Sequence, residues 1–265
     1  MREPVRRLLR YGGQLLGGFR VGHERALAQR RQADIAPYLD LGAPLQVLDL
    51  ANGRLCPQYI LLKAAGQRVY GIDTVNQPQH DWKELVYGLA RWIYVRRAGL
   101  PATTLGRQTL VCGNVGALPF AADCFDLVTS VAAFEHFLDV PAVVAEVHRV
   151  VRPGGLVWAC IHLFTSPSGG HNLDRTEVPL RTVPTGVEPW DHLRKRRLPF
   201  PVPLNQWRKD QYLEAFARHF QILDAYCSMR EGEAFLTPGL QAELSAYTWD
   251  ELTCGAYVIL ARKGG

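Results

Sequence analysis

At 265 residues, with 48% hydrophobic and 21% charged side chains, the chain has an ordinary globular composition and a length close to the roughly 250 residues one hydrophobic core can serve. That excludes a disordered or fibrous protein, and no run approaches the roughly 18 apolar residues a membrane span needs. The formal charge of +5 is concentrated at the start: residues 1–31 hold eight arginines against Glu3 and Glu24, so the remainder is slightly acidic.

Val5, Leu8, Leu9, Leu15, Leu16 and Phe19 fall on one helical face, with the arginines mostly off it. Two readings follow: a basic helix that contacts a membrane surface or an acidic partner, or an extension packed on the body, since four glycines weaken a free helix. Gly12-Gly13 and Gly17-Gly18 interrupt any signal-peptide core, so a cytoplasmic location is expected, peripheral to a membrane at most. Cys56, Cys112, Cys124, Cys160, Cys227 and Cys254 show no CxxC spacing; reduced thiols are expected, with neither a disulfide framework nor a metal site. Residues 1–40 are therefore read as a basic N-terminal extension and 41–265 as one domain.

From residue 45 short apolar runs alternate with amphipathic stretches, the pattern of βαβ units and a parallel sheet. Strands are expected at 45–50, 68–73, 108–112, 125–131 and 155–161, with helices at 55–66, 80–98 and 139–151. The last helix opens on Asp139 and Pro141 and is expected to stop at Pro153-Gly154-Gly155. Residues 162–206 contain seven prolines, which points to a loop-rich insertion, and a loop of that length is usually functional. Helical periodicity returns at 207–219, followed by two final strands in FQILDAYCSM and LTCGAYVILARKG.

In an open parallel sheet, ligands bind beyond the carboxyl ends of the strands. The first strand leads into VLDLANGRLCPQY, where Gly53 lets the backbone approach a ligand closely. The second ends in Asp73, an acid suited to the two hydroxyls of a ribose. No GxGxxG follows the first strand, so a pyrophosphate is poorly served and a nicotinamide dehydrogenase is a distant reading.

The run CGNVGALPFAADCFDLVTSVAAFEHFLDVPAVVAEVHRVVRPGG, residues 112–155, resembles the signature of class I S-adenosylmethionine-dependent methyltransferases. The resemblance covers about 45–161, with 207–262 similar to the family's closing elements. It implies an α/β, Rossmann-like, mostly parallel seven-stranded sheet of order 3-2-1-4-5-7-6, with helices on both faces and the insertion after strand five. It also implies S-adenosyl-L-methionine as cofactor. Asp49, Ala51 and Gly53 match the first motif at the methionine end of the cofactor, Asp73 the ribose acid, Asn114 and Val115 the adenine contacts, and Ser130 with Ala132 the strand end below the methyl group. Glu135 and His136 match a pair that more often supports the fold than performs chemistry. Ala51 and Leu55 replace two glycines of the family pattern; Ala51 is tolerable if its φ is negative, and Leu55 if it points into the core.

Methyl transfer to a hydroxyl needs a base, and the insertion supplies candidates in SPSGGHNLD and EPWDHL: His171 and His192, with Asp174, Trp190, Asp191 and the nearer His162 beside them. The Gly-His and Pro-Trp-x-His-Leu arrangement resembles methyltransferases of glycan and cell-envelope pathways. RKRR at 194–197 could meet an acidic group, but one short run is no nucleic-acid footprint. The expectation is a methyltransferase acting at oxygen on a small-molecule, glycan or lipid-linked acceptor, with no nucleic acid involved. The competing expectation is a catalytically degenerate scaffold of the same fold that uses its basic N-terminus for binding.

Overall fold

The computed structural model describes residues 12–13, 19–76, 82–106, 108–172 and 186–265. In chain order the elements are α1 (Phe19–Ile35), β1 (Gln46–Leu50), α2 (Pro57–Ala64), β2 (Arg68–Ile72), α3 (Trp82–Arg97), β3 (Leu110–Val111), β4 (Phe125–Val131), α4 (Val140–Val150), β5 (Val151–Ile161), α5 (Lys209–Ala217), β6 (Gln221–Arg230), α6 (Pro238–Glu243), α7 (Trp249–Thr253) and β7 (Cys254–Arg262). Among them no helix is long and apolar enough to cross a membrane.

The strands form one seven-stranded sheet of order β3-β2-β1-β4-β5-β7-β6, the order the resemblance implies. β1 and β2 run parallel from Gln46 opposite Arg68 to Leu50 opposite Ile72, β3 continues parallel to β2, and β6 with β7 is antiparallel. Val47, Leu48, Leu50, Leu127 and Val128 are all at most 1% exposed, as expected of inner strands covered on both faces. In α4 the valines 140, 143, 144, 147 and 150 recur every three or four residues and all are buried.

Two strands differ in extent from the sequence expectation, and α6 and α7 have no counterpart in it. β5 begins at Val151 rather than 155 and takes in Pro153, because α4 stops at Val150, whose carbonyl accepts from the Cys124 N–H at 2.9 Å. Proline is tolerated here since the first turn of the strand is exposed. β3 shrinks to two residues as the Thr109 N–H turns from the ladder to the Tyr59 hydroxyl at 2.9 Å and its hydroxyl reaches the Val69 carbonyl, while its carbonyl still accepts from the Gly71 N–H at 2.9 Å.

The chain divides into two compact units, Met1–Thr129 with Arg149–Leu156, and Ser130–His148 with Val157–Gly265. In the first, α1 is fastened by arginines that sequence alone left for a surface role. Arg31 is 3% exposed and donates to Gln58 at 2.9 Å and Thr129 at 3.4 Å; Gln58 in turn donates to Glu24 at 2.8 Å. Arg25 donates to the Ala98 carbonyl at the end of α3. The extension is thus packed on the body over 19–35, while nearly all of the amphipathic face at 5–19 lies outside the described residues. Tyr70, Phe120 and Phe125 stack edge-on at 5.1 to 6.0 Å.

In the second unit, Trp190 is the anchor of the insertion. It is 1% exposed, packs with Leu244 and Leu252, and its indole N–H donates to the Leu252 carbonyl at 3.1 Å. Residues 173–185, including Asp174, lie outside the described residues.

Candidate functional site

In the first unit, the loop after β1 is shaped by its main chain. The Ala51 N–H donates to the Ile72 carbonyl at 2.7 Å, which carries the loop across the tip of β2. Ala51 then takes φ 51, Gly53 φ 63 and Cys56 φ 42. The expected negative φ at Ala51 is therefore not found: the turn requires a left-handed residue, and alanine accepts it at about 1–2 kcal/mol. Leu55 is 8% exposed and belongs to the core, and Pro57 opens α2. A Cβ added to Gly53 would meet nothing within 4 Å, so open space lies in front of this glycine.

Asp73 closes the loop. Its Oδ2 accepts from the Gly53 N–H at 2.8 Å and its Oδ1 from the Val75 N–H at 3.0 Å, so the carboxylate is turned toward the glycine. Oδ1 also accepts from the Thr74 hydroxyl at 3.4 Å, while Oδ2 keeps a second lone pair for a ligand hydroxyl. Asn76 braces the arrangement, donating to Asn52 and to the Val111 carbonyl, both at 3.0 Å. From α3, Arg91 donates to the Arg54 carbonyl at 2.7 Å. Asn114 is exposed and its Oδ1 accepts from the Gly116 N–H at 2.9 Å, a local turn that fixes the side chain beside half-buried Val115.

Asp49 is 2% exposed, and its Oδ2 has no hydrogen-bond partner among the described residues. Burial pushes its carboxyl up to about 7, against the opposing pull of buried Arg31. These features fit S-adenosylmethionine: an unfilled space before a glycine, an acid aimed at it, and a buried carboxyl oxygen able to meet a cationic methionine end.

In the second unit, Ser130 is the last residue but one of β4, 1% exposed, and its hydroxyl likewise has no hydrogen-bond partner among the described residues. The turn that follows carries Glu135, 1% exposed. Asn205 fixes that turn: it donates to the Phe134 and Phe137 carbonyls at 2.8 and 3.0 Å, its N–H donates to Glu135 O at 2.9 Å, and Tyr212 donates to its amide oxygen at 2.8 Å.

β5 ends at Ile161, and His162 is the first residue beyond it. His162 Nδ1 lies 2.8 Å from His171 Nε2, and His162 Nε2 lies 2.9 Å from Ser168 Oγ. The Ser168 and Ser166 hydroxyls both donate to Glu231 Oε1, the latter at 3.0 Å. His171 Nε2 is 3.9 Å from Glu135 Oε1, and the His136 ring stacks edge-on with His171 at 4.8 Å. Glu135, His162 and His171 thus present ligand-type atoms within 4.8 Å of one another. The loop that brings His171 back is tight: a Cβ on Gly169 would stand 2.3 Å from the Leu163 and Phe164 carbonyl oxygens, and His171 itself holds φ 53.

The two histidines predicted from the insertion have different surroundings. His171 is half-buried in the cluster. His192 is 1% exposed, its Nε2–H donates to the Phe164 carbonyl at 2.7 Å, and burial lowers its pKa to about 4. That bond ties His192 to the loop and removes its Nε2 proton from other use. Asp191 accepts from the Leu198 N–H at 3.1 Å. The RKRR run is paired within the protein: Arg194 contacts Glu188 and Glu243, while Lys195 and Arg197 contact Glu188, at 2.6 to 3.1 Å. Glu231 and Ser168 carried no motif of their own, and only the closeness of Ser166 and Ser168 to His162 in IHLFTSPSGGH hints at them.

Residues 48–159 match the methyltransferase domain family. Curated relatives include 24-methylenesterol C-methyltransferase 2 of Oryza sativa subsp. japonica, 32% identical over 130 residues, covering 48% of this chain and 32% of that protein. The demethylmenaquinone methyltransferase of Roseiflexus castenholzii is 35% identical over 79 residues, covering 30% and 33%. The chain spans about a third of the length of these relatives. Among solved structures, a putative sarcosine dimethylglycine methyltransferase from Galdieria sulphuraria superposes with TM-score 0.54 at 17% identity, covering 90% of this chain and 86% of that one. An S-adenosylmethionine-dependent methyltransferase from Mesorhizobium loti gives 0.51 at 22%, covering 87% and 96%. The structural likenesses establish the shared fold.

Proposed function

We propose that this chain is a class I S-adenosylmethionine-dependent methyltransferase that transfers the methyl group to an oxygen of a small-molecule, glycan or lipid-linked acceptor, a reading supported by its matched domain and strand order. When bound, S-adenosylmethionine supplies a methyl group activated on a sulfonium. Asp73 would hold the ribose hydroxyls, the backbone at Ala51 and Gly53 would lie against the methionine portion, Asp49 would face its cationic end, and Asn114 and Val115 would flank the adenine. Ser130 offers a hydroxyl at the end of β4. Holding donor and acceptor in line can contribute about 7–11 kcal/mol.

The observation that carries the oxygen assignment is the connected set His171, His162, Ser168 and Glu231 beside Glu135. A hydroxyl must lose a proton as it is methylated, and imidazole next to buried carboxylates suits that task. The internally paired RKRR run supports a non-nucleic-acid acceptor.

The reading is tested by incubating the chain with labelled S-adenosylmethionine and pools of hydroxylated metabolites, glycans and lipid-linked sugars, then locating the label. An O-methylated product is expected, formed about 10²–10⁴-fold more slowly by His171→Ala. Label on nitrogen or sulfur, or unchanged turnover in His171→Ala, would remove the oxygen assignment.

A further inference from the structure

We infer that Glu135, His162 and His171 form a binding site for one divalent first-row transition ion. The three come from three separate segments: the turn after β4, the end of β5, and the return of the following loop. Their nearest ligand atoms lie 2.8 Å apart for His162 Nδ1 and His171 Nε2, and 3.9 Å apart for His171 Nε2 and Glu135 Oε1, with all three within 4.8 Å. Atoms about 2.0–2.2 Å from a shared ion stand about 3–3.5 Å apart, so the histidine pair would open by a few tenths of an ångström and the widest pair close by about 1 Å.

The surroundings of His162 argue for a lone pair rather than a proton on its centre-facing nitrogen; His171 Nε2–H then donates to it at 2.8 Å, and an ion would take the place of that proton as His171 shifts to its Nδ1–H tautomer. Ser168 donates its hydroxyl hydrogen to the Glu231 carboxylate, so its oxygen accepts from His162 Nε2–H at 2.9 Å. That places the ring proton on Nε2 and leaves Nδ1 as the donor atom aimed at His171. A ligating histidine whose other nitrogen is held through a hydrogen bond to a carboxylate network is the usual support of a metal ligand. Glu231 is itself pinned, 3% exposed, its N–H donating to the Thr253 carbonyl at 2.9 Å.

Two imidazoles and one carboxylate favour a borderline ion such as Zn²⁺ or Fe²⁺ over Ca²⁺ or Mg²⁺. Three protein ligands leave coordination positions open. This rests on the methyltransferase reading only for what fills them: an acceptor oxygen, whose proton the ion would make more acidic, so that with the ion bound the imidazoles would promote deprotonation as its ligands rather than as the base itself.

The test is Zn²⁺ titration of the chelator-treated full chain in competition with a chromophoric chelator. One ion per chain is expected, bound at least about 100-fold more weakly by Glu135→Gln and His171→Ala and about 10–100-fold more weakly by Ser168→Ala. Circular dichroism and S-adenosylhomocysteine affinity are measured on the same variants to show that they remain folded. No stoichiometric uptake by the wild-type chain would overturn the inference, leaving a hydrogen-bonded imidazole pair. So would uptake unchanged in His171→Ala and Glu135→Gln, which would put the ion on thiols such as exposed Cys112. Zn²⁺ uptake without S-adenosylhomocysteine binding would keep the ion site and remove the methyltransferase reading.

Discussion

Around Gly53 the first unit builds with main chain: left-handed residues at 51, 53 and 56, and an aspartate that accepts two backbone N–H bonds. Around His171 the second unit builds with side chains: two imidazoles and two hydroxyls from a tightly folded loop are linked by hydrogen bonds to one another and to Glu231, with Glu135 at 3.9 Å from His171. A backbone-built cradle tolerates changes of residue type as long as φ is kept, which explains how Ala51 can stand where the family favours glycine. A side-chain cluster has no such latitude, since each atom type has a role.

That contrast can be broken by substitution. Gly169→Ala is expected to have the largest effect, because its Cβ would lie 2.3 Å from two backbone carbonyl oxygens; a loss of about 3 kcal/mol or more in urea denaturation is predicted. An unchanged midpoint would show that the loop is not packed as described.

His192→Gln comes next. The folded pKa of about 4 lies below the ordinary histidine value of 6.5, so the unfolded chain takes up the proton first as pH falls. The wild type should therefore lose about 2–3 kcal/mol between pH 6.5 and 4 that the variant retains, read from denaturation at several pH values. Parallel pH profiles for the two proteins would count against His192 as a buried neutral brace.

Asp49→Asn acts with the opposite sign. A carboxyl raised to about 7 keeps its proton in the folded state where the unfolded chain has released it, so stability falls as pH rises from about 4 to 7. The variant should flatten that fall by about 2 kcal/mol, part of the gain being offset by lost attraction to Arg31. A slope unchanged from wild type would mean Asp49 is ionised throughout. Smallest is Ala51→Gly, expected to stabilise by about 0.5–1 kcal/mol because relief of φ 51 outweighs the entropy of glycine; destabilisation would mean that the Ala51 methyl packs usefully.

The inner strands and α4 were legible because their signals are local, as with the valines of α4 repeating at helical spacing. Gly53, Asp73 and the 112–155 run were legible for the same reason: strand, turn and acid follow one another along the chain. The φ of Ala51 was not, since it is set by the bond from its N–H to Ile72 on the neighbouring strand. Nor was Arg31, whose burial depends on Gln58 and Glu24, or the pairing of RKRR with Glu188 and Glu243. The histidine cluster was half visible: His171 and His162 could be nominated by type, but Glu135 and Glu231 join them only through long-range folding, so Glu135 read as a support residue.

The most direct measurement is calorimetric titration of the intact chain with S-adenosylhomocysteine, alongside Asp73→Ala. The account predicts one site, and a loss of affinity of about 100-fold or more in the variant, as two hydrogen bonds to a charged group disappear. Absence of binding by the wild-type chain, or equal affinity in Asp73→Ala, would contradict a nucleoside held between Gly53 and Asp73.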